Sequence, residues 1–257
     1  MSLYSILKDL TINKGTTLLN NKELPSQGYF YSDDFWIRIK KADVEDIIEY
    51  THYFNSENPL LTIELIKEIV RRNSFVAKGF DFEYIRAIDI VYIFLDIVKI
   101  TKDKKLFILE ENPISGIEYP IEICANNFNY FIPNSNFKYN KEELCFEYKG
   151  FKFRFPSIGV EESIFKFTSA VAYNQEFEWM ADDYNYDFSY FLGDRTVLTV
   201  DEVKNLLTIF RDDISDSDKA TTSEIIDSFR PMFKYSLKWN DRVIPLDQRV
   251  GLKNIWD

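Results

Sequence analysis

Histidine is almost missing from this chain: His52 is the only one in 257 residues. A single imidazole cannot build a two-histidine metal site or a His-Glu-x-x-His protease. His52 itself, between Thr51 and Tyr53 on a predicted amphipathic helix, reads as a surface or packing residue. No G-x-S-x-G elbow is present, and no P-loop or G-x-G-x-x-G follows any predicted strand, so neither serine-hydrolase chemistry nor nucleotide binding has a sequence basis. Cysteine is limited to Cys124 and Cys145. They are expected to be free thiols in a reducing cytosol, because MSLYSILKDL has neither the basic region nor the apolar core of an export signal. The longest apolar stretch, Ala87 to Ile100, is interrupted by Asp89, Asp96 and Lys99. It is too short and too charged to span a bilayer.

Positive charge is also in deficit. The formal net charge of −11, with scattered Lys and Arg, argues against nonspecific nucleic-acid binding and against docking on an anionic membrane. A protein or a small cationic species is left as the expected partner. What the chain has in quantity is apolar and aromatic side chains: 46% of residues are hydrophobic, with 23 Phe and 16 Tyr against 8 Gly. That content excludes wholesale disorder, and large rings must fill the core and cover some contact surface. The abundance of Phe, Tyr, Ile, Asn and Lys also fits AT-rich coding, so ring content by itself does not signal binding. The length allows one large domain or two modest ones.

The pattern along the chain predicts an α+β fold. Leu3, Ile6, Leu7 and Leu10 have helical spacing within an N-terminal arm, residues 1–20. Pro25 and Gly28 then punctuate a predicted β-hairpin whose aromatic strands flank Ser32-Asp33-Asp34. Helices are predicted from Asp43 to Phe54, from Leu60 to Ser74 and from Asp81 to Thr101, completing a hairpin-plus-helix segment over 21–118. The third of these is apolar nearly all round, as a central helix is. Over 119–158 the period becomes two. One hairpin is predicted with Ile121, Ile123 and Ala125 facing Phe128, Tyr130 and Ile132 across Asn126-Asn127; a second runs from Leu144 to Phe155, turning at Lys149-Gly150 and stopping at Pro156. Residues 159–257 read as helices from Val160 to Tyr173, Val200 to Asp212 and Ser217 to Phe229, closed by a hairpin turning at Asn240-Asp241. The whole is expected to form one unit.

Two acidic groupings bear on chemistry. Asp89 and Asp96 lie seven apart on one predicted helical stripe, where paired carboxylates can do acid/base work. The commoner reading is a solvated stripe, with Arg86 and Lys99 as salt partners. Asp183-Tyr184-Asn185-Tyr186-Asp187, with Asp194 beyond, places Asp183, Asn185, Asp187 and Asp194 at oxygen positions of a calcium loop. Phe188 stands where the sharp turn needs glycine, which favours a plain tyrosine-rich acidic loop. A calcium-binding or acid-dependent enzyme module on this loop is the alternative of a different class.

Three stretches, taken in order, resemble the baseplate hub assembly family of T4-type contractile-tailed phages. They are LPSQGYFYSDDFWIRIKKADVEDI (24–47), FEYIRAIDIVYIFLDI (82–97), whose Asp89 resembles the acid interrupting that helix in relatives, and IEICANNFNYFI with YKGFKFRFPSIGVEESI (121–132, 148–164). The similarity runs through roughly residues 20 to 250, and order and spacing carry it more than any single piece. Some relatives have a Cys-x-x-Cys pair on the insertion. Here only Cys124 stands, with Asn127 and Phe128 nearby, which implies that Phe128 and Tyr130 hold the insertion by packing.

The resemblance implies a non-enzymatic role without a cofactor or metal: a chaperone-like factor in the host cytoplasm that holds phage baseplate hub or tape-measure proteins during tail assembly. Permanent residence in the virion baseplate is the close variant. Such a factor needs exposed apolar or aromatic patches ringed by acid. The candidates are Tyr29, Phe30, Tyr31, Phe35 and Trp36, and Tyr184 with Tyr186 in the acidic segment; packing within the domain is the competing use of the same rings.

Overall fold

Several helix starts in this chain carry capping side chains. In this computed structural model, residues 14–54, 59–111, 116, 118–172, 191, 198–208, 215–229, 236–239, 242–246 and 255–256 are described. Helix α1 (Val44–Phe54) begins where the Asp46 carboxylate accepts the backbone N–H of Asp43 at 3.1 Å. The same carboxylate takes Asn73 at 2.7 Å and Arg72 at 3.0 Å, which ties the start of α1 to the end of α2 (Pro59–Asn73). Helix α3 (Ile90–Lys102) buries Ile90 through Leu95 together with Ile97 and Val98, and Asp103 closes it in the left-handed conformation. Helix α4 covers Ile158–Ala172. Helix α5 (Val200–Thr208) opens with a capping box, Thr199 and Glu202 each accepting the other's backbone N–H. Ser215 caps α6 (Asp216–Phe229) by accepting from the N–H of Asp218.

Among the described residues the strands are all antiparallel and form four small sheets. β1 (Thr17–Leu18), β2 (Ile37–Ile39) and β3 (Ser74–Val76) pair in that order. β4 (Phe107–Glu111) and β5 (Glu118–Glu122) form a hairpin, and β6 (Lys138–Asn140), β7 (Cys145–Tyr148) and β8 (Phe151–Phe153) a three-stranded sheet. β9 (Ser236–Trp239) and β10 (Arg242–Pro245) form the last hairpin. Helices and antiparallel strand pairs occupy separate stretches, so the fold is α+β. Among the described residues no helix is long and apolar enough to cross a membrane.

Among the described residues two cores lie under these elements. The larger surrounds α3 and takes side chains from α1, α2, β2, β4, β5, β9 and β10. The smaller is built of Phe30, Phe131, Phe137, Phe146, Phe153, Phe155 and Phe229 with Ile88 and Ile225. Its rings meet mostly edge-on, as Phe155 and Phe229 do at 4.7 Å, while Phe131 stacks on Phe229 at 5.0 Å.

Several expected elements are replaced. The hairpin predicted around Ser32-Asp33-Asp34 does not form. Residues 24–35 run instead as successive tight turns, with N–H groups of Gln27, Tyr29, Tyr31 and Phe35 each bonded three residues back, and β2 pairs with β1 and β3. Gln27 and Gly28 both take positive φ, at 53° and 74°, the bend that Gly28 makes accessible. The helix expected from Asp81 resolves into 3-10 turns at Phe82–Tyr84 and Ala87–Asp89 ahead of α3. The reason is that 85–87 pairs like a strand with 156–158: Ile158 donates to Ile85 O at 2.8 Å and Ala87 to Pro156 O at 3.0 Å. The hairpin expected across Asn126-Asn127 is also absent, since β5 turns back onto β4 and Phe128 bridges to Leu237 of β9. The Lys149-Gly150 hairpin and the terminal hairpin form as expected.

Candidate functional site

The residues singled out in 24–36 divide sharply by exposure. Phe30, Tyr31 and Phe35 are buried, at 0%, 5% and 4% exposure, which corrects their assignment as docking residues. Phe30 belongs to the phenylalanine core and Tyr31 and Phe35 to the larger one, where their rings stack at 4.7 Å. Turns, unlike a hairpin, give no alternation of inward and outward side chains, so these neighbouring rings can all face inward. Tyr29 and Trp36 are half-buried. Tyr29 packs against Tyr139 and Phe146 at 5.1 and 5.2 Å, and Arg38 lies over Trp36 at 5.9 Å. Tyr184, Tyr186, Asp183, Asn185, Asp187 and Asp194 lie outside the described residues.

A buried polar centre sits between the two cores, and it overturns the reading of Asp89 as part of a solvated stripe. Asp89 and Arg86 are 0% and 1% exposed. One carboxylate oxygen of Asp89 accepts the Ser26 N–H at 2.9 Å; the other accepts the Ser26 hydroxyl at 2.7 Å and the Tyr31 hydroxyl at 2.8 Å. Tyr31 in turn accepts the Arg86 backbone N–H at 2.9 Å. The Arg86 guanidinium donates twice to Phe30 O, at 3.1 and 2.8 Å, and once to Phe155 O at 3.4 Å. Its carbon lies 4.8 Å from the Tyr84 ring centroid, a cation–π distance.

Burial pushes the Asp89 carboxyl up to about 6, against the opposing pull of the Ser26 and Tyr31 hydrogen bonds and of Arg86. Burial likewise raises the Tyr31 hydroxyl and lowers Arg86. Asp96, about two turns further along at a position within α3, is also pushed up to about 6 by burial, with Lys99 opposing. Asp89 enters the segment before α3 and faces Ser26 and Tyr31.

This centre gathers the three stretches singled out in the sequence. Ser26, Phe30 and Tyr31 come from the first, Arg86 and Asp89 from the second, and Phe155 from the last. Further bonds reinforce the meeting: Phe131 N–H donates to Pro25 O at 2.9 Å and the Gln27 amide to Phe131 O at 2.6 Å. The Tyr139 hydroxyl donates to the Tyr29 carbonyl. Chemically the arrangement orients backbone and leaves its polar atoms already engaged.

Among the described residues, no group of three or more His, Cys, Asp or Glu is arranged to hold a metal ion. Cys124 is half-buried and Cys145 buried, both as thiols; burial raises the Cys145 thiol. Phe128 is buried and meets the Tyr92 ring at 4.6 Å, while the Tyr130 hydroxyl bonds Ala125 O at 2.6 Å. His52 is exposed on α1.

Exposed apolar side chains lie elsewhere and were not singled out by sequence. Val44 and Ile48 are one turn apart on α1, Phe107 and Leu109 alternate on β4, and Ile132 stands beyond the phenylalanine core. The signal for β4 was present as the unbroken apolar run Leu106-Phe107-Ile108-Leu109, which makes both faces of the strand apolar.

These features define an α+β protein whose polar centre is buried and internally hydrogen-bonded, and whose exposed apolar side chains include those of a short hairpin and a helix face. Comparison with protein-family models, with curated proteins and with solved structures gave no match.

Proposed function

We propose that this chain is a non-enzymatic assembly factor for the baseplate hub of a contractile phage tail, acting in the host cytoplasm by holding hub or tape-measure proteins. The observation that supports the reading is the convergence of 24–47, 82–97 and 148–164 on Ser26, Tyr31, Arg86, Asp89 and Phe155. Residues that carry a family resemblance are expected to be those that hold a shared fold, and here they bond to one another. Once the LPSQGYFY rings are assigned to the core, docking falls to the exposed apolar positions on α1, β4 and the loop at Ile132.

The test is co-expression with hub and tape-measure proteins followed by pull-down of the tagged chain. Stable capture of one of them is the expected result, and capture of none overturns the reading. Mass spectrometry of purified particles then distinguishes a factor that leaves from a permanent baseplate component: the chain is expected to be absent from finished virions.

A further inference from the structure

The β4–β5 hairpin has one face in the core and one bare. Ile108 and Ile121 are register partners and buried. On the other face Phe107 and Leu109 are 53% and 60% exposed, and Pro120, the register partner of Leu109, is exposed as well. Ile123 donates to Leu106 O at 2.8 Å. In an antiparallel ladder this makes 106/123, 108/121 and 110/119 the hydrogen-bonded pairs and leaves 107/122, 109/120 and 111/118 as the non-bonded ones.

That phase sets the character of each edge. Pro120, which has no N–H, sits where its nitrogen faces the outer edge of β5, so it blocks strand addition there without weakening the hairpin. The N–H and C=O groups of Phe107, Leu109 and Glu111 face the outer edge of β4. Among the described residues no strand pairs with that edge. Among the described residues β4 is therefore an open edge beside exposed apolar side chains, without the proline, bulge or central lysine that usually protects one.

Charge indicates what would fit. Glu122, opposite Phe107, is neutralised by Lys105 at 3.0 Å. At the other end the exposed Glu118 has a second acid, Glu111, as its register partner along the backbone, so a cationic residue alongside that end would be complementary in charge. We propose that the outer edge of β4 accepts an extended segment of a protein partner as a third strand, with apolar residues beside Phe107 and Leu109 and Lys or Arg beside the Glu111–Glu118 end. This deepens the assembly reading and rests on it for the occupant being a protein. Main-chain bonds would give the affinity and alternate side chains the specificity.

The probe is a short fluorescent peptide alternating valine and lysine, titrated into the full chain and read by anisotropy. It is expected to bind saturably, and about tenfold more tightly than a valine–glutamate peptide or a copy N-methylated along one backbone edge. Leu109→Lys is expected to weaken it about tenfold with an unchanged melting temperature. Absence of saturable binding, or equal binding of the N-methylated copy, overturns the proposal. If Leu109→Lys fails to fold, the peptide comparison on the unaltered chain decides alone. A dimer in sedimentation that Leu109→Lys dissolves would overturn it in favour of a second copy of this chain. If hub proteins are captured equally by the unaltered and Leu109→Lys chains, this surface is wrong and the assembly reading stands; peptide binding without hub capture gives the reverse.

Discussion

Asp89 receives three hydrogen bonds where no water is needed to satisfy it, so the penalty for removing it falls on its donors. Asp89→Ala would strand the Ser26 N–H and two hydroxyls and is expected to cost about 3 kcal/mol in urea denaturation. Asp89→Asn keeps an acceptor for Ser26 and donates to the hydroxyls, so about 1 kcal/mol is expected. Titration gives a separate measurement. The folded state holds the Asp89 proton up to about 6, whereas the ordinary carboxyl value is 3.8, so the folded state binds more protons between those values. Stability from this group therefore falls as pH rises from about 4 to about 6 and is flat above. Asp96 contributes in the same direction. The urea midpoint followed across that range should lose part of its slope in Asp89→Asn; an unchanged slope would contradict the assignment. None of this was legible from Asp89 and Asp96 as a helical pair, because helical spacing reports which residues share a stripe and not what faces it.

At the scale of elements, local chemistry decides where burial is not needed to choose. Lys149-Gly150 takes φ values of 47° and 87°, the hairpin geometry that two central residues in the left-handed region require. A Cβ at Gly150 would meet nothing within 4 Å. Gly150→Ala should therefore cost only the backbone strain, about 1 kcal/mol, read as a shift in urea midpoint with unchanged slope. The Thr199–Glu202 capping box predicts a similar loss of about 1 kcal/mol for Thr199→Ala. The turn, and a helix beginning at Val200, were legible because they depend on neighbours in sequence. The 24–35 turns and the break before α3 were not, because each depends on a strand-like partner far along the chain: Ile39 pairs with Thr17 and Ser74, and Arg86 with Ser157.

Over the whole molecule, the polar centre couples the two cores. Phe30 and Tyr31 are adjacent in sequence yet belong to different cores, as do Ile88 and Ile90. Disruption of the phenylalanine core should therefore be felt throughout. Phe229→Ala, which removes ring contacts to Phe131, Phe153 and Phe155, is expected to cost about 4 kcal/mol. Unfolding followed by far-UV circular dichroism and by tryptophan fluorescence should remain coincident; separate transitions would show that the cores unfold independently.

The α+β class, the Lys149-Gly150 turn and the terminal hairpin followed from sequence alone, since propensity and turn chemistry act over a few residues. Tertiary structure alone decided that Phe30, Tyr31 and Phe35 point inward, that Asp89 is buried against Ser26 and Tyr31, and that β5 pairs with β4 rather than with 128–132. Each depends on which distant segment arrives to complete a hydrogen bond or cover a ring, and that competition between long-range partners leaves no periodic trace in the chain.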